Sequence, residues 1–141
     1  DKIIGDELMI VYGAPISAED DTERAVTTAV EMQERILELN KTRKKQKKKP
    51  IQVGMGINRG VVVSGNIGSR DMMDYTVIGD TVNLGSRLCS VADQGEILVS
   101  RTVWKEIKER FICEKLEPVR VKGKKDRVEV YRIASDGQTK Q

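Results

Sequence analysis

The sequence predicts an α/β sandwich in which helices pack on a largely antiparallel sheet. Two observations lead there. Apolar residues recur nearly every four positions over 25–39, 84–91 and 103–111, the period of a one-faced helix. Short β-branched runs bounded by Gly, Asp and Pro lie between those stretches. The 141 residues have room for one domain and one modest core, and 38% hydrophobic with 33% charged residues marks a globular chain, not a disordered one. The domain is expected over 1–134, with a polar, frayed tail over 135–141.

Taken in order, DKIIGDELMIVYG holds two apolar runs joined at Gly5-Asp6, the pattern of a hairpin or tight turn. Glu19 to Thr22 offer cap chemistry for a long helix whose stripe is Ala25, Ala29, Met32, Ile36 and Leu39, widened by Val26, Val30 and Leu37. After Pro50, IQVGMGIN and VVVSGNIG read as strands separated by Arg59-Gly60. Asp71 to Asp74 make a polar break before a strand at Tyr75 to Ile78. At Gly79-Asp80 the period changes from two to nearly four, so Leu84, Leu88 and Val91 line a helix that Asp80 is placed to cap. Glu96 to Val99 is a short strand, and Ser100 caps a helix holding Val103, Trp104, Ile107 and Phe111. Cys113 to Val121 and Arg127 to Ile133 pair as strands around Lys122 to Asp126. The chain opens inside a strand pattern with no start methionine, so further elements are expected upstream.

There is no histidine. That removes histidine general acid/base catalysis, Ser-His and Cys-His pairs, and the commonest zinc sites. Chemistry must rest on carboxylates, Lys, Arg, Asn and bound ions. Cys89 and Cys113 sit in apolar patterns without metal-ligand spacing, as buried thiols of a reduced, cytosolic chain do. No apolar run approaches ~18 residues. A cytoplasmic location follows as the expectation, alone or as the cytosolic part of a membrane-anchored protein. The mild net charge of +3 is gathered in KTRKKQKKK, Lys41 to Lys49. Such a run can meet nucleic acid or an anionic membrane. It equally suits a solvated helix end, where cations complement the negative pole of the dipole. Without interleaved aromatics or an apolar face, the run favours the helix end. No nucleic-acid partner is therefore expected, and membrane contact is assigned to parts of the protein outside this chain.

The tripeptide Ile-Gly-Asp occurs twice, in IGDELM from Ile4 and in IGDTVN from Ile78. In the first, apolar runs on both sides hold Asp6 at a hairpin tip or edge, and turn chemistry alone accounts for it. The second opens a helix. Four residues apart on that helix, Asn83 and Arg87 share a face away from Leu84 and Leu88. An amide beside a guanidinium suits a ligand with both sugar and phosphate, and it also suits a plain solvated face.

The longer strings decide between them. IGDELMIVYGAP, GINRGVVVSGNIGS, DYTVIGDTVNLGSRL and VKGKKD, in that order along nearly the whole chain, resemble the class III adenylate and guanylate cyclase catalytic domain. The resemblance implies the ferredoxin-like α+β fold of that class, lacking its first strand and helices. It implies two divalent cations, Mg²⁺ or Mn²⁺, with Asp6 as a metal ligand. The second metal carboxylate belongs to an upstream F-x-D-I segment that these residues do not contain. Lys2 and Thr76 resemble the adenine-selecting pair, where guanylate cyclases usually present Glu and Cys. Asn83 resembles the ribose-orienting Asn, and Arg87 the Arg that stabilises the transition state. Lys122 resembles the lysine on the terminal phosphates, a role Lys124 can also fill. Gly85 stands where the family often has Ala.

The implied activity is conversion of ATP into 3′,5′-cyclic AMP and pyrophosphate at sites shared across a head-to-tail homodimer. Guanylate cyclase and a non-catalytic, nucleotide-binding or dimerising partner are the alternatives. The 141 residues on their own are expected to be inactive, because a two-metal site short of one carboxylate holds its ions poorly.

Overall fold

Strand β6 (Ile97–Ser100) is buried along its whole length, which requires cover on both faces of the sheet it belongs to. In the computed structural model, which describes residues 2–4, 6–14, 16–67, 74–123 and 125–134, that cover is helical. For 2–4, 64–67 and 74–78 the description is of backbone alone. A four-stranded sheet runs in the order β3 (Met55–Ile57), β6, β8 (Val130–Ile133), β7 (Cys113–Lys115). The β3–β6 pair is parallel, whereas β6–β8 and β7–β8 are antiparallel. Val119 and Val128 extend the last hairpin by one bridge.

Alternation along the strands sorts the core into two halves. Ile97 and Val99 of β6, with Tyr131 and Ile133 of β8, point to α1 (Asp21–Lys45) and α3 (Arg101–Ile107), meeting Val26, Ala29, Val103, Ile107 and Phe111. Leu98 and Val130 point the other way, to Leu84 and Leu88 of α2 (Asp80–Val91) and to Val121. Two small antiparallel pairs complete the structure. One joins β1 (Lys2–Ile4) to β2 (Glu7–Met9), and the other joins β4 (Val63–Ile67) to β5 (Asp74–Ile78).

The basic run ends α1 as a solvated helix end would. Arg43, Lys44 and Lys45 occupy its last turn, and Arg43 Nε donates to the Lys49 carbonyl at 2.7 Å. Asn40 then clasps Ile51, donating through Nδ2 to its carbonyl at 2.7 Å and accepting from its amide at 2.8 Å, which returns the chain toward β3.

Several expectations change. The strand drawn over IQVGMGIN shortens to Met55–Ile57, because Pro50 and the loop after it run along the helix end. Phe111 falls beyond α3, whose last turn closes at Lys108, but still enters the core. Cys89 and Cys113 are half-buried, Cys113 at the margin of the core half that Val103 and Ile107 fill. Asp80 is not the cap of α2. Gly79 takes that position, and its carbonyl accepts from the amides of Val82 and Asn83, each at 3.1 Å. Gly79 has φ of 132°, a conformation that side chains rarely adopt, so glycine rather than a capping carboxylate turns strand into helix. Asp80 instead places its charge in the first turn, where the dipole favours it. Ser100 caps α3 as expected, its hydroxyl accepting from the Val103 amide at 3.4 Å. Residues 71–73 of the polar break and the tail over 135–141 lie outside the described residues. Among the described residues, no helix is long and apolar enough to cross a membrane.

Candidate active site

Helix α2 lies against β3, and glycine makes the close approach possible. A Cβ at Gly56 would stand 2.3 Å from the Cys89 amide nitrogen and 2.6 Å from the Gly85 carbonyl oxygen. With Leu84 and Leu88 buried against the sheet, the opposite face of α2 is left exposed. Asn83 and Arg87 occupy that exposed face, one turn apart.

The hairpin beyond β7 supplies the opposing wall. Val119 and Val121 turn inward to Leu84, Leu88 and Leu98, while Arg120 and Lys122 are exposed. Arg87 Nε donates to the Arg120 carbonyl at 3.0 Å, which anchors the guanidinium by its neck and leaves the terminal nitrogens to other partners. A cleft of about 540 Å³ opens here, lined by Arg87, Arg120, Val121, Lys122, Gly123 and Lys125. Among the described residues four cations and no carboxylate line it, a composition that attracts phosphate.

The structure thus brings Arg87 and Lys122 into one cleft. Asn83 lies one turn away, outside its lining. Asp6 is exposed at the β1–β2 turn. Lys2 pairs with Met9 across the same hairpin, and Thr76 pairs with Gly65 across β4–β5. The side chains of Lys2 and Thr76, and Lys124 entirely, lie outside what is described. Sequence reasoning missed Arg120 and Lys125. The signal was present: in VRVKGKK the valines and cations alternate, and a half-buried strand places alternate residues on opposite faces.

The donor set for a metal is incomplete. Among the described residues, no three His, Cys, Asp or Glu side chains gather as ligands. Asp6 offers one carboxylate, and its neighbour Glu7 accepts from Ser86 Oγ at 3.3 Å. One exposed carboxylate does not hold Mg²⁺ or Mn²⁺ unaided. The two carboxylates do reach α2 electrostatically. Burial pushes the Cys89 thiol up, and the charges of Glu7 and Asp6 push in the same direction.

The sequence model of the family described as "Adenylate and Guanylate cyclase catalytic domain" matches residues 2–135. An adenylate cyclase of Anabaena cylindrica is 34% identical over 142 aligned positions, covering 94% of this chain and 27% of that protein. The crystal structure of the adenylyl cyclase CyaB from P. aeruginosa superposes with a TM-score of 0.89 at 35% identity, over 95% of this chain and 70% of that one. The guanylyl cyclase Cya2 gives 0.80, also at 35% identity, over 96% and 70%. The chain therefore spans about a quarter of the length of the curated relative.

Proposed function

The chain belongs to the adenylate and guanylate cyclase catalytic domain family, and from that membership we propose that it converts ATP into 3′,5′-cyclic AMP and pyrophosphate. In that reaction the ribose 3′-oxygen bonds to the α-phosphorus and loses its proton, and the bond from the α-phosphorus to the β-phosphate bridge breaks. The observation that carries the reading is the cation-lined cleft where Arg87, tethered by the Arg120 carbonyl, meets Lys122.

Each side chain then has a task suited to its chemistry. The anchored guanidinium of Arg87 presents its terminal nitrogens to charge building on the α-phosphoryl oxygens, where a fixed donor stabilises a transition state most. Lys122 neutralises the terminal phosphates, helped by Arg120 and Lys125. Asn83 orients the ribose. Lys2 can only donate, which matches an acceptor nitrogen of adenine, and the Thr76 hydroxyl can accept from the exocyclic amine. Overall likeness does not choose the base, since an adenylyl and a guanylyl cyclase are each 35% identical. The choice of ATP rests on Lys2 and Thr76.

Divalent cations, Mg²⁺ or Mn²⁺, are proposed to neutralise the triphosphate and lower the pKa of the 3′-hydroxyl when bound. Asp6 is the ligand assigned to this chain, with the remaining ligands outside the described residues. A head-to-tail homodimer is proposed to assemble the sites, so that the Asp6 of a chain serves one and its Lys2, Thr76, Asn83, Arg87 and Lys122 the other.

The test is cyclic nucleotide formation from ATP and from GTP in Mn²⁺, by the chain within its natural flanking sequence. Cyclic AMP is expected, and Arg87→Ala should lower kcat by about 10²- to 10³-fold. Preference for GTP would make the protein a guanylate cyclase. Silence with both nucleotides in a folded dimer would make it a non-catalytic partner.

A further inference from the structure

Among the described residues the β1–β2 hairpin has no strand partner in the four-stranded sheet, so its attitude toward α2 depends on side chains. Glu7 follows Asp6 directly and its carboxylate accepts from Ser86 Oγ at 3.3 Å. Ser86 lies between the two residues assigned to chemistry on α2, three positions after Asn83 and one before Arg87. We propose that Glu7 is a positioning residue: by holding Ser86 it docks the hairpin that carries Asp6 onto the turn of α2 that carries Asn83 and Arg87.

A second observation agrees. Cys89, three residues after Ser86 and so on the same side of the helix, feels the charges of both Glu7 and Asp6. Glu7 thus touches α2 at Ser86, and the charges of Glu7 and Asp6 reach the Cys89 side of the helix. Nothing in this requires Glu7 to touch substrate. Its contribution is to fix where Asp6 stands on the body of its own protomer, and so how Asp6 enters the site shared with the partner, where a displacement of about 1 Å can cost on the order of 10²-fold in rate.

This inference rests on the cyclase reading for its catalytic consequence, but not for the docking itself. Two readouts separate them. The first is amide hydrogen exchange over residues 6–9 and 80–87, with the chain kept within its natural flanking sequence, in wild type, Glu7→Ala, Ser86→Ala, the double variant and Glu7→Gln. Both alanine variants should speed exchange of the hairpin amides about tenfold, with the double variant no faster than either single one. Glu7→Gln keeps an acceptor oxygen and should stay near wild type. The second readout is steady-state kinetics on the same proteins. Each alanine variant should lower kcat about fivefold and raise the Mn²⁺ concentration for half-maximal rate, with KM for ATP within twofold of wild type. Glu7→Gln should recover most of the loss.

Additive losses in the double variant, unchanged exchange in Glu7→Ala, or Glu7→Gln as impaired as Glu7→Ala would each overturn the docking role. A fall in thermal midpoint that accounts for the activity loss, with no shift in Mn²⁺ dependence, would also overturn it by making the contact merely structural. Wild-type protein that makes no cyclic nucleotide yet shows the non-additive exchange pattern would sink the cyclase reading and leave the docking standing.

Discussion

Replacing Arg87 by Lys keeps the charge but removes the Nε that donates to the Arg120 carbonyl, so Arg87→Lys should recover little of the rate lost in Arg87→Ala. Comparing kcat of the two variants checks this, and near-complete recovery would mean that charge alone suffices. Two glycines on either side of the α2–β3 contact make opposite predictions. At Gly85 a Cβ would meet only Asn58 Cβ, at 3.7 Å, so Gly85→Ala should stabilise the fold by about 0.5–1 kcal/mol through helix propensity. At Gly56 the clash is with helix backbone, so Gly56→Ala should cost about 3 kcal/mol, and denaturant unfolding reads both. The site was partly legible at this scale. Asn83 and Arg87 share a face by spacing alone, but neither the Arg120 carbonyl nor Ser86 can be found so. A backbone oxygen leaves no mark in a sequence, and a serine on a polar helix face looks like any other.

At the scale of elements, the long periodic segments were the readable ones. α1 and α2 follow from stripes at helical spacing, and β6 and β8 from β-branched runs whose alternate residues fill two halves of one core. What the sequence hid was pairing and terminus geometry. β3 joins β6 in parallel, although 39 residues separate Ile57 from Ile97, because register between distant strands is set by packing rather than by any turn. Asp80 reads as a cap by residue type, yet the glycine before it, in a backbone conformation only glycine adopts readily, holds the cap position and its carbonyl takes the first helical hydrogen bonds. Substituting Gly79 by Ala should therefore destabilise α2 by about 1 kcal/mol or more, and hydrogen exchange over 80–87 measures it. Asp80→Asn should change little, since only a dipole interaction of about 0.3–1 kcal/mol is at stake.

Taken as a whole, the molecule is held at its sheet by ion pairs as well as by core. Arg132 on β8 reaches Glu96, whose side chain is 15% exposed, and Glu114 on β7. Hydrogen bonds from Arg132 and from the Asp93 amide hold the Glu96 carboxyl below its ordinary value of 4.5. A group lowered on folding stabilises fully above its unfolded pKa and loses that contribution as pH falls through the folded one. Thermal unfolding of wild type should therefore weaken below about pH 4.5, and Glu96→Gln should be less stable near neutrality yet flatter through that acid limb, converging with wild type once the carboxyl is protonated. The strand order has a consequence of another kind. β8 sits inside the sheet between β6 and β7, though it is the last strand of the described chain to be made. Tyr131 and Ile133 close the half-core that Val26 and Ala29 of α1 begin. On a translating ribosome, α1 must wait with its apolar stripe unburied until residue 133 has cleared the exit tunnel. Emergence of β8, rather than growth of the first helix, then sets the moment of folding, and nascent chains stalled before Val130 should remain open to protease.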